Sequence, residues 1–300
     1  MNSSTKHILI ADDEQNIRKL LSVLLEERGY TVEEAQHGQA ALEILKQRQP
    51  DMVISDIHMP YLDGFDLLKI IDEAYPHIKR ILMTGYNIDK YLRMIRKHNI
   101  GNILAKGVDF NLDEIGSYVD AIMTGDIFGL QRYFHDTAVT SKRISTSRQA
   151  REVITEIVQQ YRGDDKMYLE IAIDELISNA VYHAILQLTN VSREHWRDDY
   201  CIALETAVTL SWAQDSEKMG IAVEDPKGNL RKTDVLKWLN HKIGDASGLQ
   251  EHGRGLILVR KLIDRFIINI DPNHKTECIL LQYFHRNHKS AQKPLLIHEI

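Results

Sequence analysis

The sequence predicts two domains of different class: an α/β domain on a doubly wound, five-stranded parallel sheet, then an α+β domain with helices layered on a mixed sheet. Three observations carry this. Strand and helix signals alternate through the first 124 residues, the pattern of βα units joined in parallel. From residue 143 the order changes to two long helices followed by consecutive strands. The length of 300 residues suits two domains, each able to bury its own core. The expected boundaries are 1–124 for the first domain, 125–142 for a linker, 143–285 for the second domain and 286–300 for a C-terminal tail.

In the first domain, His7 to Ala11 is a short apolar run that ends in acids. A helix is expected from Glu14 to Arg28, with Ile17, Leu20, Leu21, Leu24 and Leu25 on one face, stopped by Gly29. Thr31–Ala35, Met52–Ser55, Ile78–Thr84 and Ile100–Ala105 read as strands; His37–Arg48, Phe65–Glu73, Ile88–Lys97 and Leu112–Met123 read as helices. The connector holds Phe128, Tyr133 and Phe134, and a helix continuing from Leu112 through Tyr133 would couple the two domains. In the second domain, helices are expected over Ser147–Tyr161, Asp165–Leu188 and Arg254–Arg265. Strands are expected near Cys201–Trp212, Gly220–Glu224, Phe266–Asp271 and Glu277–His285. Residues 186–200 look like an insertion.

Composition narrows the function classes. The chain is 43 % apolar and 27 % charged, as soluble globular proteins are. A net charge of -6 gives no basic face for nucleic acid. No run of about 18 uncharged apolar residues offers a membrane span. Cys201 and Cys278 form no CxxC, which fits a reducing compartment, so a cytoplasmic location is expected. The pair His285 and His288 lacks acids or cysteines to complete a metal site.

Polar residues gather where parallel strands end. Asp12 and Asp13 end the first strand, Asp56 the third, Thr84 the fourth and Lys106 the fifth. Ligands of such sheets sit beyond the carboxyl ends of the strands. Three carboxylates there repel one another unless a hard cation sits among them, and Mg²⁺ with oxygen ligands meets that need. A lysine and a hydroxyl complete a set equipped for phosphoryl transfer to a carboxylate. With the following stretch DIHMPYLDGF, these residues resemble the receiver domain of two-component response regulators, a flavodoxin-like fold, across residues 5–124. The resemblance implies Asp56 as phosphoacceptor. It also implies Mg²⁺ on Asp12, Asp13, Asp56 and the backbone carbonyl of His58, Thr84 as switch hydroxyl and Lys106 as phosphate partner. Two positions depart from the family: Ile103 replaces the usual aromatic switch residue and Gly107 the usual proline.

The segment DELISNAVYHAI puts Glu175, Asn179 and His183 four apart, on one helical face. Opposite them, Ile171, Leu176, Ile177, Ala180 and Ile185 are available to pack. A carboxylate and an amide so spaced suit Mg²⁺ coordination beside a base. Asp225, followed by Gly228, ends a strand where a buried carboxylate can accept from an adenine amino group. Gly253-Arg254-Gly255 opens a helix, and glycines there let backbone N–H groups approach phosphates. The ordered trio resembles the GHKL ATPase superfamily over about residues 143–285, a Bergerat-type α+β sandwich. GRGLILVRKLIDRF is especially similar to the bacterial anti-sigma-factor serine kinases. By resemblance, Asn179 binds Mg²⁺, Glu175 is the candidate general base, Asp225 and Gly228 read adenine, and Gly253, Arg254 and Gly255 line the phosphate lid. Leu230 stands where the family often has a second glycine.

Three functions compete. In the first, ATP is used to phosphorylate a serine or threonine of an anti-sigma-factor antagonist, under control of Asp56 phosphorylation by a sensor histidine kinase. In the second, the ATP domain holds a sigma factor or antagonist without chemistry. The third, a histidine kinase hybrid, is weakest: His135 lies in HDTAV and not in a paired-helix module. Homodimerisation is left open by family analogy.

Overall fold

The computed structural model describes residues 5–106, 112–134, 136–188, 199–239, 254–285 and 293–300. It divides into two compact units, Met1–Ile127 and Phe128–Ile300.

The first unit runs β1 (His7–Ala11), α1 (Gln15–Glu27), β2 (Thr31–Ala35), α2 (Gly38–Gln47), β3 (Met52–Asp56), α3 (Gly64–Ala74), β4 (Lys79–Thr84), α4 (Leu92–Lys97), β5 (Asn102–Ala105) and α5 (Leu112–Thr124). Its strands lie in the order β2-β1-β3-β4-β5, all parallel. β1 and β3 are buried along their whole length, as strands covered on both faces are. The order reverses at β1 and β3, so the carboxyl ends of the central strands open a crevice at the switch point. Side-chain caps start two helices: His37 accepts from the Ala40 N–H and Asp63 from the Asp66 N–H. This is the doubly wound sheet the alternation predicts, with the flavodoxin-like order the receiver resemblance implies.

The second unit adds β6 (Thr140–Ile144), α6 (Ser147–Gln160), α7 (Lys166–Ser178), β7 (Val208–Gln214), β8 (Lys218–Asp225), α8 (Lys232–Leu239), α9 (Arg254–Leu262), β9 (Arg265–Asp271), β10 (Lys275–Tyr283) and β11 (Leu295–Glu299). Its strands lie in the order β11-β9-β10-β8-β7-β6. The ladder is antiparallel except for β11, which runs parallel to β9. α7 packs on α6, α9 and β8, giving the expected α+β layering.

Several elements differ from the sequence expectation. The fifth helix stops at Thr124, where Gly125 takes φ +75°, so it does not run on through Tyr133. Leu130, Tyr133 and Phe134 are buried in the second unit instead. Strand β6 crosses the expected linker boundary at residue 142. The stretch expected as a tail contains β11, whose Leu295, Leu296 and Ile297 are buried; pairing with β9 gives this short apolar run its partner. The strand expected from Cys201 begins only at Val208, and Cys201 makes one isolated bridge to Thr146. Helix α8 was not foreseen.

His298, on β11, is buried, and burial together with Arg132 and Lys232 lowers its pKa to about 3. It is neutral in the folded chain while the unfolded histidine takes a proton below about pH 6.5. Its stabilising contribution is therefore present above pH 6.5 and is lost progressively as the pH falls toward 3. Between pH 7 and pH 5 this one group is expected to account for about 2 kcal/mol of lost stability. All three tryptophans lie in the second unit, so urea unfolding followed by their fluorescence reads it. The drop should shrink in His298→Leu; an equal drop in both chains counts against the assignment.

Candidate functional site

Two polar centres emerge, one in each unit. In the first, Asp12, Asp56 and Thr84 are buried at the strand ends and Asp13 is exposed beside them. The Lys106 ammonium stands 2.6 Å from Asp12 Oδ2, 2.6 Å from Asp56 Oδ1 and 3.2 Å from Glu14 Oε1. The remaining oxygens are held by backbone: the Glu14 N–H donates to Asp12 Oδ1 at 2.9 Å and the His58 N–H to Asp56 Oδ2 at 2.6 Å. The Lys106 N–H donates to the Thr84 carbonyl at 2.7 Å, and the Tyr86 N–H to Thr84 Oγ1 at 3.0 Å. Burial pushes the Asp12 and Asp56 carboxyls above their usual range, against the pull of Lys106. Burial opposes the Lys106 charge too, but its hydrogen bonds to Asp12 and Asp56 outweigh that and hold it protonated.

Among the described residues, no group of three or more acids, histidines or cysteines is arranged to hold a metal ion. Lys106 bridges the two buried carboxylates Asp12 and Asp56, and Asp13 stands exposed beside them. The reason is electrostatic: two buried carboxylates need a counter-charge, and Lys106 supplies it. The donor chemistry fits Mg²⁺, being all oxygen: three carboxylates and one backbone carbonyl. Ile103 is fully buried in β5, while Gly107 falls outside the described residues. The aromatic groups near Asp56 are Tyr86 and Tyr91. Both stack edgewise on His58, and the Tyr91 hydroxyl lies 3.0 Å from His58 Nε2.

In the second unit a cavity of about 220 Å³ opens between α7, β8, β10 and α8. Asn179 and Asp225 both line it. Helix α7 does not continue regularly to Leu188: from Asn179 to Ile185 it widens into a π-helical turn. Such turns are rare and recur at functional sites. Leu176 and Ala180, expected opposite Asn179, share the cavity wall with it, and Ile171 is 38 % exposed. Glu175 is buried one turn before Asn179, whose Nδ2 donates to Glu175 Oε1 at 3.3 Å. A Cβ added to Gly255, in the first turn of α9, would lie 1.6 Å from Glu175 Oε1. Only glycine lets the helix start come this close to the carboxylate.

Asp225 ends β8, buried. Its Oδ1 accepts from the N–H groups of Lys227 at 2.9 Å and Gly228 at 3.0 Å. Burial raises its pKa against those bonds. Gly228 has φ +58°, and a Cβ there would meet the Asp271 carbonyl at 2.3 Å, so the loop shape requires glycine. The next residue, Asn229, donates from Nδ2 to the Ala184 carbonyl at 2.8 Å, tying the loop to the π turn. Gly253 and the side chain of Arg254 lie outside the described residues, as do 189–198 of the expected insertion and His135. Sequence reasoning missed Asp234 and Trp238 on α8, and Thr276 and Cys278 on β10, all on the cavity wall. The period-2 alternation of β10 is the one signal that points Thr276 and Cys278 to the same face.

A buried acid–lysine pocket at the end of a doubly wound sheet and a polar-lipped cavity over a mixed sheet define a receiver-like unit joined to a nucleotide-site-like unit. Residues 8–118 match the family model of the response regulator receiver domain, and residues 140–282 that of the histidine kinase-like ATPase domain. Sporulation initiation phosphotransferase F of Bacillus subtilis is 37 % identical over 109 residues, covering 36 % of this chain and 86 % of that protein. The chain belongs to the response regulator receiver family and carries a histidine kinase-like ATPase domain after the receiver. The CAI-1 autoinducer sensor kinase/phosphatase CqsS of Vibrio cholerae is 30 % identical over 119 residues, 38 % of this chain. The chain spans only 17 % of CqsS, 17 % of the regulator NtrC of Proteus hauseri and 10 % of the sensor kinase CckA of Brucella abortus. Among solved structures, the response regulator TrrA of Thermotoga maritima is 33 % identical with a TM-score of 0.36, covering 39 % of this chain and 99 % of that one. Among the described residues no helix is long and apolar enough to cross a membrane.

Proposed function

We propose that this protein is a response regulator with an enzymatic output: a sensor histidine kinase phosphorylates Asp56, and the phosphorylated receiver sets the activity of an ATP-dependent serine/threonine protein kinase. The substrate is an anti-sigma-factor antagonist. In the receiver, Asp12, Asp13, Asp56 and the His58 carbonyl would hold Mg²⁺, which neutralises the incoming phosphoryl group; Lys106 and Thr84 take its oxygens. In the second unit, Asn179 would hold the Mg²⁺ of Mg·ATP and Asp225 accepts from the adenine amino group. By the family resemblance, Gly253, Arg254 and Gly255 would border the phosphates and Glu175 would serve as the base for the attacking hydroxyl. The observation that carries the nucleotide reading is the single cavity joining Asn179 to Asp225 from two separate elements. The serine kinase assignment rests on the resemblance of residues 253–266 to anti-sigma-factor kinases.

The connector supplies a route for control. Thr276 and Cys278 face the cavity, so by alternation Lys275 and Glu277 face the other side of β10. There the Gly129 N–H donates to the buried Glu277 carboxylate at 2.9 Å, and Lys275 Nζ lies 4.1 Å from the centre of the Phe128 ring. The segment leaving the receiver is thus fastened to the back of a strand whose front lines the nucleotide cavity.

The test mixes the purified chain with labelled ATP and candidate antagonists, with and without beryllofluoride on the receiver. Label is expected on a serine of the antagonist, and beryllofluoride is expected to change its rate or the nucleotide affinity by roughly 5- to 150-fold, the range of ordinary allosteric coupling. Label on histidine, or none at all, overturns the kinase assignment. Rates and affinities indifferent to beryllofluoride overturn the control.

A further inference from the structure

We propose that Glu175 is also the positioning residue for Asn179, fixing which face of that amide is offered to the metal; this rests on the reading of Asn179 as the Mg²⁺ ligand of Mg·ATP. An asparagine amide has two chemically opposite ends, a carbonyl oxygen that can bind a cation and an NH₂ that cannot. Free in the cavity, the group can present either. A carboxylate only accepts hydrogen bonds, so the amide end that approaches it must be NH₂. Asn179 Nδ2 lies 3.3 Å from Glu175 Oε1. The planar amide then directs Oδ1 away from Glu175.

The second observation is that the carboxylate is itself held. Glu175 is buried, and the first turn of α9 leaves it no room. A Cβ on Gly255 would lie 1.6 Å from its Oε1, 2.3 Å from Cδ and 2.8 Å from Cγ. The three groups form a chain of constraint: the glycine of α9 confines the carboxylate, the carboxylate selects the amide end, and the amide end sets the ligand. The π-helical turn starts at Asn179 itself, so the backbone changes pitch where the side chain is fixed.

Outer-shell partners of metal ligands typically cost about 10- to 100-fold in metal affinity when removed. The readout is the ratio of ATP affinity in Mg²⁺ to that in EDTA, measured by calorimetry on the full chain without any turnover. Glu175→Ala is expected to lower that ratio about tenfold, with the EDTA affinity unchanged. Glu175→Gln, whose amide oxygen still accepts from Asn179 Nδ2, is expected to keep the ratio while abolishing phosphoryl transfer. Gly255→Ala leaves Glu175 in the chain but displaces its carboxylate, and is expected to lower the ratio as Glu175→Ala does. If Asn179→Ala removes the Mg²⁺ dependence and both Glu175→Ala and Gly255→Ala keep it, the positioning role is overturned and the metal reading stands. If Glu175→Ala weakens binding equally in Mg²⁺ and EDTA, the residue is merely structural and the proposal fails. A wild-type ratio of one overturns the Mg·ATP reading together with the proposal.

Discussion

Asp56→Asn is expected to take up no acid-labile phosphate from a small phosphodonor, while the wild-type chain is labelled in a Mg²⁺-dependent way. Loss is complete because the carboxylate oxygen is the nucleophile and an amide oxygen is not one under these conditions. The substitution is nearly isosteric, and Lys106 keeps Asp12 at 2.6 Å and Glu14 at 3.2 Å, so the fold should survive. A second readout separates chemistry from folding. Asp12 and Asp56 titrate above their ordinary range because they are buried. The sign follows: a carboxyl raised by folding contributes stability while protonated, and that contribution is lost as the pH rises through its raised pKa. At neutral pH without divalent cation the pocket therefore carries a cost that Lys106 only partly offsets. Mg²⁺ should remove it, by about 2.7 kcal/mol at a hundred times the dissociation constant, seen as a rise in the receiver's melting temperature. In Asp56→Asn both the cost and the Mg²⁺ response should be smaller. Equal labelling of the two chains, or an equal Mg²⁺ shift, would remove Asp56 from the site.

The receiver pocket was legible because each of its groups ends a strand. Strands β1 and β3 announce themselves as apolar runs, and a polar residue immediately after such a run has one place to go. What hid was the state of the pocket: nothing in the order Asp12, Asp56, Lys106 says that the ammonium bridges both acids. The second unit was less readable, for reasons of distance along the chain. Asn179 and His183 are four apart, a spacing that serves an α-helix and a π-helical turn alike, so the widening at Asn179 left no periodic trace. Helix α8 has only eight residues and follows Gly228-Asn229-Leu230, a stretch that reads as loop. Strand β11 is a five-residue run near the end of the sequence, and its partner β9 lies well before it, so the pairing has no local signature. The contact of Gly255 with Glu175 joins helices separated in sequence by β7, β8 and α8. Periodicity and caps, which are local, do not report such encounters.

Asp225→Ala is expected to weaken ATP binding by two orders of magnitude or more. The loss has two parts. The buried carboxylate is the acceptor proposed for the adenine amino group, and a hydrogen bond to a charged group contributes roughly 1.5–3 kcal/mol. The same carboxylate organises the loop: its Oδ1 holds the Lys227 and Gly228 N–H groups at 2.9 and 3.0 Å. Both donors lose their acceptor in the alanine variant. The buried Gly228 N–H, left without an acceptor, costs about 1–3 kcal/mol, so the loop is expected to rearrange rather than persist. Asp225→Asn divides the two parts. Its amide oxygen can still accept from the loop, but its NH₂ faces the adenine NH₂ donor to donor when the oxygen is so used. It should therefore bind ATP nearly as poorly as Asp225→Ala while melting closer to the wild type. Calorimetric titration with ATP and GTP, alongside thermal unfolding read by tryptophan fluorescence, distinguishes the contributions. An asparagine variant with wild-type ATP affinity would show that Asp225 shapes the loop without touching the base, and the adenine would then have to be read by the other residues of the cavity wall.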